Sequence, residues 1–242
     1  MEKQVKFGLI GKNISYSFSR KYFENKFRNK MLEGYSYELF DLDEISQVEN
    51  IFTDTSLKGF NVTIPYKQQI VPFLDELSEE AGETGAVNCV LIKDGKKKGF
   101  NTDVYGFDKT LLLHRTPEQQ KALILGNGGA AKAVQFVLNK YGIPYQNVTR
   151  NGDFLYEKLT PELVQEHTLI IQCTPVGTFP ETENCLPFPF EGLTENHLVI
   201  DLIYNPNYTK FIRNAAEKGA RTVNGFYMLE QQAEKSWQIW NS

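Results

Sequence analysis

The chain has 242 residues, 41% hydrophobic and 23% charged, which is the make-up of a folded globular protein and excludes a disordered one. Its 26 basic and 30 acidic residues leave a formal net charge of -4, without the basic surplus that a phosphate backbone demands, so nucleic acid is not an expected partner. No stretch approaches the roughly 18 apolar residues of a membrane span, and the start, Met1-Glu2-Lys3-Gln4-Val5, lacks the apolar core of a secretion signal; a cytoplasmic protein of one large or two modest domains is expected.

In chain order, residues 5–10 form a short apolar run closed by Gly11 and predict a buried strand. A helix follows, capped by Ser17 or Ser19, with Phe23, Phe27 and Met31 recurring every fourth residue before Gly34 as its stop. Residues 35–40 alternate as a strand and 45–52 read as a short helix, so the strand-helix-strand-helix order predicts a parallel sheet. Residues 59–67 are β-rich until Pro65 forces the chain out of the sheet. Two short strands, 86–92 and 97–101, flank Asp94-Gly95, a hairpin signal, and residues 103–113 turn helical and bridge into a second unit.

That unit opens with an apolar strand, 121–125, running into Gly126-Asn127-Gly128-Gly129-Ala130-Ala131. Val134, Val137, Leu138 and Tyr141 then fall at helical spacing and Gly142 ends the run. Further strands are predicted at 146–149, 169–173 and 197–202, and helices at 209–218 and 228–240.

The glycine loop lies between strand and helix, where a dinucleotide-binding turn lies. Gly126 permits the tight turn, Gly128 lets the backbone approach a pyrophosphate, and Ala131 takes the third glycine's packing position. Some 20 residues on, where an acid reads the NAD ribose and an arginine a 2′-phosphate, stand Thr149-Arg150-Asn151, which favour NADP, with Asp153 close by. His114, His167 and His197 have no carboxylate or serine spacing around them and read as surface or satisfied core residues. The string from Tyr22 to Lys26 has the Y-x-x-x-K spacing of short-chain dehydrogenases but precedes the glycine loop, and reads as an exposed helix face. Cys89, Cys173 and Cys185, odd in number and far apart, read as small buried hydrophobes of a reducing compartment, not as a disulfide framework or metal knuckle. Lys67, after the proline-broken strand, and Asp103, closing Gly99-Phe100-Asn101-Thr102-Asp103, are each delivered to a strand end, where a lysine and an aspartate suit proton transfer or make an ordinary surface pair.

Together these motifs resemble the shikimate dehydrogenase family over nearly the whole chain and in the right order. The resemblance is carried by Ser15-Tyr16-Ser17, Asn61-Val62-Thr63-Ile64-Pro65-Tyr66-Lys67, Gly85-Ala86-Val87-Asn88 and Asn101-Thr102-Asp103. It continues through residues 126–130, Cys173-Thr174-Pro175-Val176-Gly177, Asp201-Leu202-Ile203-Tyr204-Asn205-Pro206 and Asn224-Gly225-Phe226-Tyr227-Met228-Leu229 with Gln232.

The resemblance implies an α/β protein of two domains: a substrate-binding domain of residues 1–104 with 225–242, and a Rossmann domain of residues 105–224. It implies NADPH-dependent reduction of 3-dehydroshikimate to shikimate, by a monomer or homodimer that uses no metal. Lys67 and Asp103 become the catalytic pair, and Ser15, Ser17, Asn61, Thr63, Asn88, Tyr204 and Gln232 join them in holding the substrate. Gly126, Asn127, Gly128, Gly129, Ala130, Thr149, Arg150, Thr174, Leu202 and Tyr227 line the cofactor. Four departures stand out: Phe18 in place of a proline, Tyr227 in place of a second glycine, Phe154 in place of a second arginine, and only about twenty residues between Arg150 and Ile170, short by a strand or helix of the Rossmann unit. The competing readings are a quinate or mixed quinate/shikimate dehydrogenase using NAD, and a nucleotide-binding sensor without turnover, against which Lys67 and Asp103 both speak.

Overall fold

In the computed structural model, which describes residues 4–15 and 17–242, the strands fall into two separate sheets, one in each of two units. Met1, Glu2 and Lys3 of the start and Tyr16 between the two serines lie outside the described residues. The first unit runs to Thr102 and takes in Ala233–Ser242; the second is Asp103–Gln232.

The first unit is built from β1 (Val5–Gly11), α1 (Phe18–Asn29), β2 (Tyr35–Asp41), α2 (Val48–Ile51), β3 (Leu57–Val62), β4 (Glu76–Leu77), α3 (Glu79–Thr84), β5 (Cys89–Lys93) and β6 (Lys96–Phe100). Its sheet has the order β2-β1-β3-β5-β6-β4. The parallel arrangement expected from strand-helix alternation holds for β2, β1 and β3, and ends where β5 pairs antiparallel with β3 and β6. The β5–β6 turn places Asp94 and Gly95 both at positive φ, the two-residue hairpin geometry that matches strand twist.

Two sequence expectations fail in this unit, each for a physical reason. Met31 is not on the buried helix face: α1 stops at Asn29, and Met31 takes a left-handed φ of 53° and is 88% exposed. The terminus is closed by Leu32 N–H donating to the Phe27 carbonyl at 3.0 Å, and Leu32 packs on the core in its stead. Tyr22 and Lys26 are half-buried instead of exposed, because both side chains bond the carboxylate of Glu234.

The second unit holds α4 (Thr102–His114, all but its first residue), β7 (Ala122–Leu125), α5 (Gly129–Lys140), β8 (Tyr145–Val148), α6 (Pro161–Glu166), β9 (Leu169–Gln172), β10 (Leu198–Asp201), α7 (Lys210–Glu217) and β11 (Arg221–Val223). All five strands are parallel, in the order β11-β10-β9-β7-β8. Buried runs such as Leu123-Ile124-Leu125 feed both faces, Ile124 packing into one cluster and Leu123 and Leu125 into the other, as a sheet covered on two sides requires. The short segment after Arg150 forms α6 and no strand, which leaves β8 at the sheet edge. The strand at 221–223, too short to register as an apolar run, closes the other edge.

The closing helix α8 (Phe226–Trp240) is divided between the units: Met228 packs with the core of the second, Ala233, Ile239 and Trp240 with that of the first. There Trp240 stacks on Phe7 at 4.6 Å between ring centroids and donates Nε1–H to the Val90 carbonyl at 3.0 Å. His167 is buried with Nδ1 on the Leu163 carbonyl and His197 with both ring nitrogens engaged, and burial pushes the Cys89 thiol up to about 12. Among the described residues no helix is long and apolar enough to cross a membrane.

Candidate active site

In the first unit the candidate polar residues form part of one interior network. Asn61, 5% exposed, accepts from Tyr37 Oη at 2.9 Å through Oδ1 and donates through Nδ2 to the Asn88 carbonyl at 3.1 Å and Ser236 Oγ at 2.9 Å. A carbonyl only accepts, so the amide orientation is settled, and both hydrogens of Nδ2 are engaged within the protein. Asn88 Oδ1 accepts from the Thr102 N–H at 2.6 Å and Thr102 Oγ1 at 3.1 Å, and Thr102 Oγ1 in turn lies 3.3 Å from Ser236 Oγ. With its oxygen committed, any bond Asn88 makes to a substrate is made as a donor. Burial pushes the Tyr37 phenol well above its ordinary pKa, so it stays a neutral donor here.

Lys67 hangs from the same backbone junction. Tyr66 is the buried anchor of the turn after β3, its Oη donating to the Leu42 carbonyl at 2.7 Å, and the next carbonyl, that of Lys67, accepts from Val87 N–H at 2.7 Å, one residue before Asn88. Thr63 is half-buried at the start of this turn, its N–H on the Ile10 carbonyl. Ser17 caps α1, accepting from the Ser19 N–H at 3.2 Å, while Ser15 is exposed. The turn before them is held by Asp41 at the end of β2, which accepts from the Asn13 and Ile14 N–H groups.

In the second unit the candidates gather at strand carboxyl ends, where parallel sheets take ligands. Gly126 has φ of 113°, and a Cβ there would stand 2.9 Å from Thr174 Cγ2, so the loops after β7 and β9 touch at this glycine. Gly128 caps α5 without any side-chain bond to the helix N–H groups, and a Cβ placed on it would meet nothing within 4 Å. Ala131 is fully buried, Ala130 and Gly129 half-buried, and Asn127 exposed. After β8, the Thr149 N–H donates to the Phe154 carbonyl at 3.0 Å and closes a turn on which Arg150 is exposed; Thr149 Oγ1 lies buried beneath Gly152 with no hydrogen-bond partner among the described residues. Leu202 and Tyr204 sit half-buried on the loop after β10. Asp103, 7% exposed, stands in the first turn of α4, where an acid suits the helix dipole. On α8, Gln232 Nε2 donates to the Leu229 carbonyl at 2.9 Å, and Tyr227 lines a cleft with Tyr208, Asn224 and Glu230. Among the described residues no cluster of three or more His, Cys, Asp or Glu side chains suits a metal ion.

A family model described as the shikimate dehydrogenase substrate binding domain matches residues 9–90. Over 96% of its length the chain is 32% identical to the shikimate dehydrogenase (NADP(+)) of Methanosphaera stadtmanae, covering 89% of that protein. The chain belongs to the shikimate dehydrogenase family. The solved shikimate dehydrogenase of Aquifex aeolicus matches it with a TM-score of 0.87 at 30% identity, covering 100% of this chain and 94% of that one. Shikimate 5-dehydrogenase of Thermus thermophilus, in complex with NADP(H) and shikimate, gives 0.86 at 30% identity, with 98% and 93% covered.

Within the shikimate dehydrogenase pattern, the departures have structural outlets. Phe154 packs against the second core cluster of its unit, so Arg150 is the sole cation of the 149–155 turn. Phe18 opens α1 with its ring 5.6 Å from that of Tyr22. Sequence reasoning missed Tyr37 and Ser236. Ser236 had left a trace, since with Ala233, Trp237 and Trp240 it falls on one apolar helical stripe as its lone polar member.

Proposed function

We propose that this chain is an NADP-dependent shikimate dehydrogenase, interconverting 3-dehydroshikimate and shikimate. The observation that carries the reading is the near-full-length likeness to enzymes bearing that name. The residues present also fit the cofactor: Gly128 leaves open space beside uncapped helix N–H groups, as a pyrophosphate needs, and Thr149 Oγ1 is a buried polar atom lacking a partner beside Arg150.

In this reading residues 1–104 with 225–242 bind the substrate and 105–224 the cofactor. Gly126, Asn127, Gly128, Gly129 and Ala130 hold the pyrophosphate, Thr149 and Arg150 the 2′-phosphate, and Thr174, Leu202 and Tyr227 the remaining surface. NADPH, when bound, supplies the hydride. Lys67 donates a proton to the carbonyl oxygen as it becomes the alcohol, and its positive charge stabilises the developing oxyanion at the same atom. Asp103 accepts from a substrate hydroxyl and Asn88 donates to one. Ser15, Ser17, Thr63, Tyr204 and Gln232 hold the carboxylate and the other hydroxyls; Asn61, whose amide hydrogens are spent, acts by fixing Asn88.

The test is to incubate the purified protein with shikimate or quinate, each with NADP or NAD, and follow absorbance of the reduced nicotinamide. Shikimate with NADP is expected to give the highest kcat/KM. No turnover with any pair would overturn the enzyme reading, and a clear preference for quinate would replace the substrate.

A further inference from the structure

At the carboxyl ends of β9 and β10 two polar side chains, Gln172 and Asp201, stand where the strands are otherwise apolar. They are register partners across the pair, both completely buried, and each ends a fully buried run, Leu169-Ile170-Ile171 and Leu198-Val199-Ile200. Neither points idle polarity into the core. Gln172 Oε1 accepts from the Thr174 N–H, while Nε2 donates to the carbonyls of Thr174 at 3.1 Å and Val176 at 3.2 Å. Asp201 Oδ1 accepts from the Ile203 N–H at 3.0 Å, and Oδ2 from Thr209 Oγ1 at 2.6 Å. Thr209 is itself the cap of α7, accepting from the Ile212 N–H at 3.2 Å.

Each side chain thus curls the loop that leaves its own strand back over itself. The two loops are tied at their base by the Leu202 N–H on the Gln172 carbonyl at 2.9 Å, and further out by Phe179 N–H and Thr178 Oγ1, both donating to the Asn205 carbonyl at 3.1 Å. A leucine at either position would continue the core and leave these loops without their internal bonds. The carboxylate is also a costly choice, since burial pushes Asp201 up to about 6, and what offsets that cost is the pair of bonds to residues 203 and 209.

We infer that Gln172 and Asp201 are positioning residues for the cofactor-binding loops: by folding residues 173–176 and 202–209 from beneath, they set where Thr174, Leu202 and Tyr204 stand. The inference rests on the proposed function, in which those loops meet NADP. Both side chains are completely buried, so their effect on the cofactor site is exerted through backbone placement, where a displacement of an ångström is felt.

Thr209→Val and Gln172→Met remove the bonds with little change in volume, and Thr209→Ser keeps the hydroxyl. Binding of NADP to each purified variant is measured by titration calorimetry, alongside Tm and the KM and kcat for both substrates. The Val and Met variants are expected to bind NADP roughly 10-fold more weakly, with KM for NADP rising more than kcat falls, while the Ser variant stays near wild type. Variants with lowered Tm but unchanged NADP affinity would overturn the positioning role and leave the proposed function standing. A wild type that binds no NADP would overturn both. If Thr209→Val does not fold, Gln172→Met alone decides, by the same two readouts.

Discussion

The two units fix their polar candidates in opposite ways. In the first, Asn61 and Asn88 are buried and are held by each other and by Tyr37, Thr102 and Ser236, so these two candidates are themselves core. In the second, Asn127, Arg150, Thr174, Leu202 and Tyr204 stand on loops that follow the strands, and Gln172 and Asp201 fold two of those loops from below. A residue of the first kind cannot be altered without loss of stability; one of the second kind can be altered while the fold stays intact.

Four substitutions test that contrast. Lys67→Ala is expected to lower kcat by about 10²- to 10⁴-fold, the range for losing a positioned general acid, while calorimetry finds NADP affinity unchanged. An unchanged kcat with a raised KM would make Lys67 a binding residue only. Asn61→Leu leaves Tyr37 Oη, Ser236 Oγ and the Asn88 carbonyl short of a partner and is expected to cost about 2 to 4 kcal/mol in denaturant unfolding; a loss below 1 kcal/mol, on the order of one ordinary hydrogen bond, would mean the network relaxes around the gap.

Arg150→Ala should weaken NADP about 10- to 150-fold, leave NAD nearly untouched and leave Tm unchanged, because the proposed function gives this exposed side chain one charge-assisted contact to the 2′-phosphate. Equal loss of both nucleotides would transfer attention to Asp153 at the ribose. The smallest effect is on pH. Burial raises Asp201 to about 6 from 3.8, so the stability it contributes is present below 3.8 and lost as pH rises through 6; the titratable groups beside it are the Cys173 and Cys185 thiols, both pushed up by burial. Asp54, lowered to about 2 chiefly by its bond to Lys6, has the opposite sign, its stability present above 3.8 and lost as pH falls through 2. Tm measured against pH should therefore flatten between about pH 4 and 6 in Asp201→Asn; a curve parallel to wild type would refute the assignment.

Much of this was legible in the sequence because it depends on local chemistry. Apolar runs between glycines gave the parallel strands, Asp94-Gly95 gave the hairpin, and the glycine loop gave its own position. What was illegible depends on residues far apart in the chain. Tyr22 and Lys26 cannot be known to face Glu234 until the closing helix is placed, and Met31 continues a helical rhythm that the backbone abandons two residues earlier. Ser236 meets Asn61 across 175 positions. Gln172 and Asp201 fall inside the strands predicted at 169–173 and 197–202, and a polar residue there reads the same whether it turns to solvent or folds its own loop.

Trp240 and Ile239 belong to the buried core of the first unit, although the whole of Asp103–Gln232 separates them in sequence from the rest of it. A growing chain therefore holds residues 5–102 with that core unfilled while the whole of Asp103–Gln232, contiguous in sequence, becomes available to fold. The first unit is begun before the second and gains its closing core residues only after it, since Phe7 and Phe23 acquire Trp240 as a ring partner only once residues 103–232 have been made.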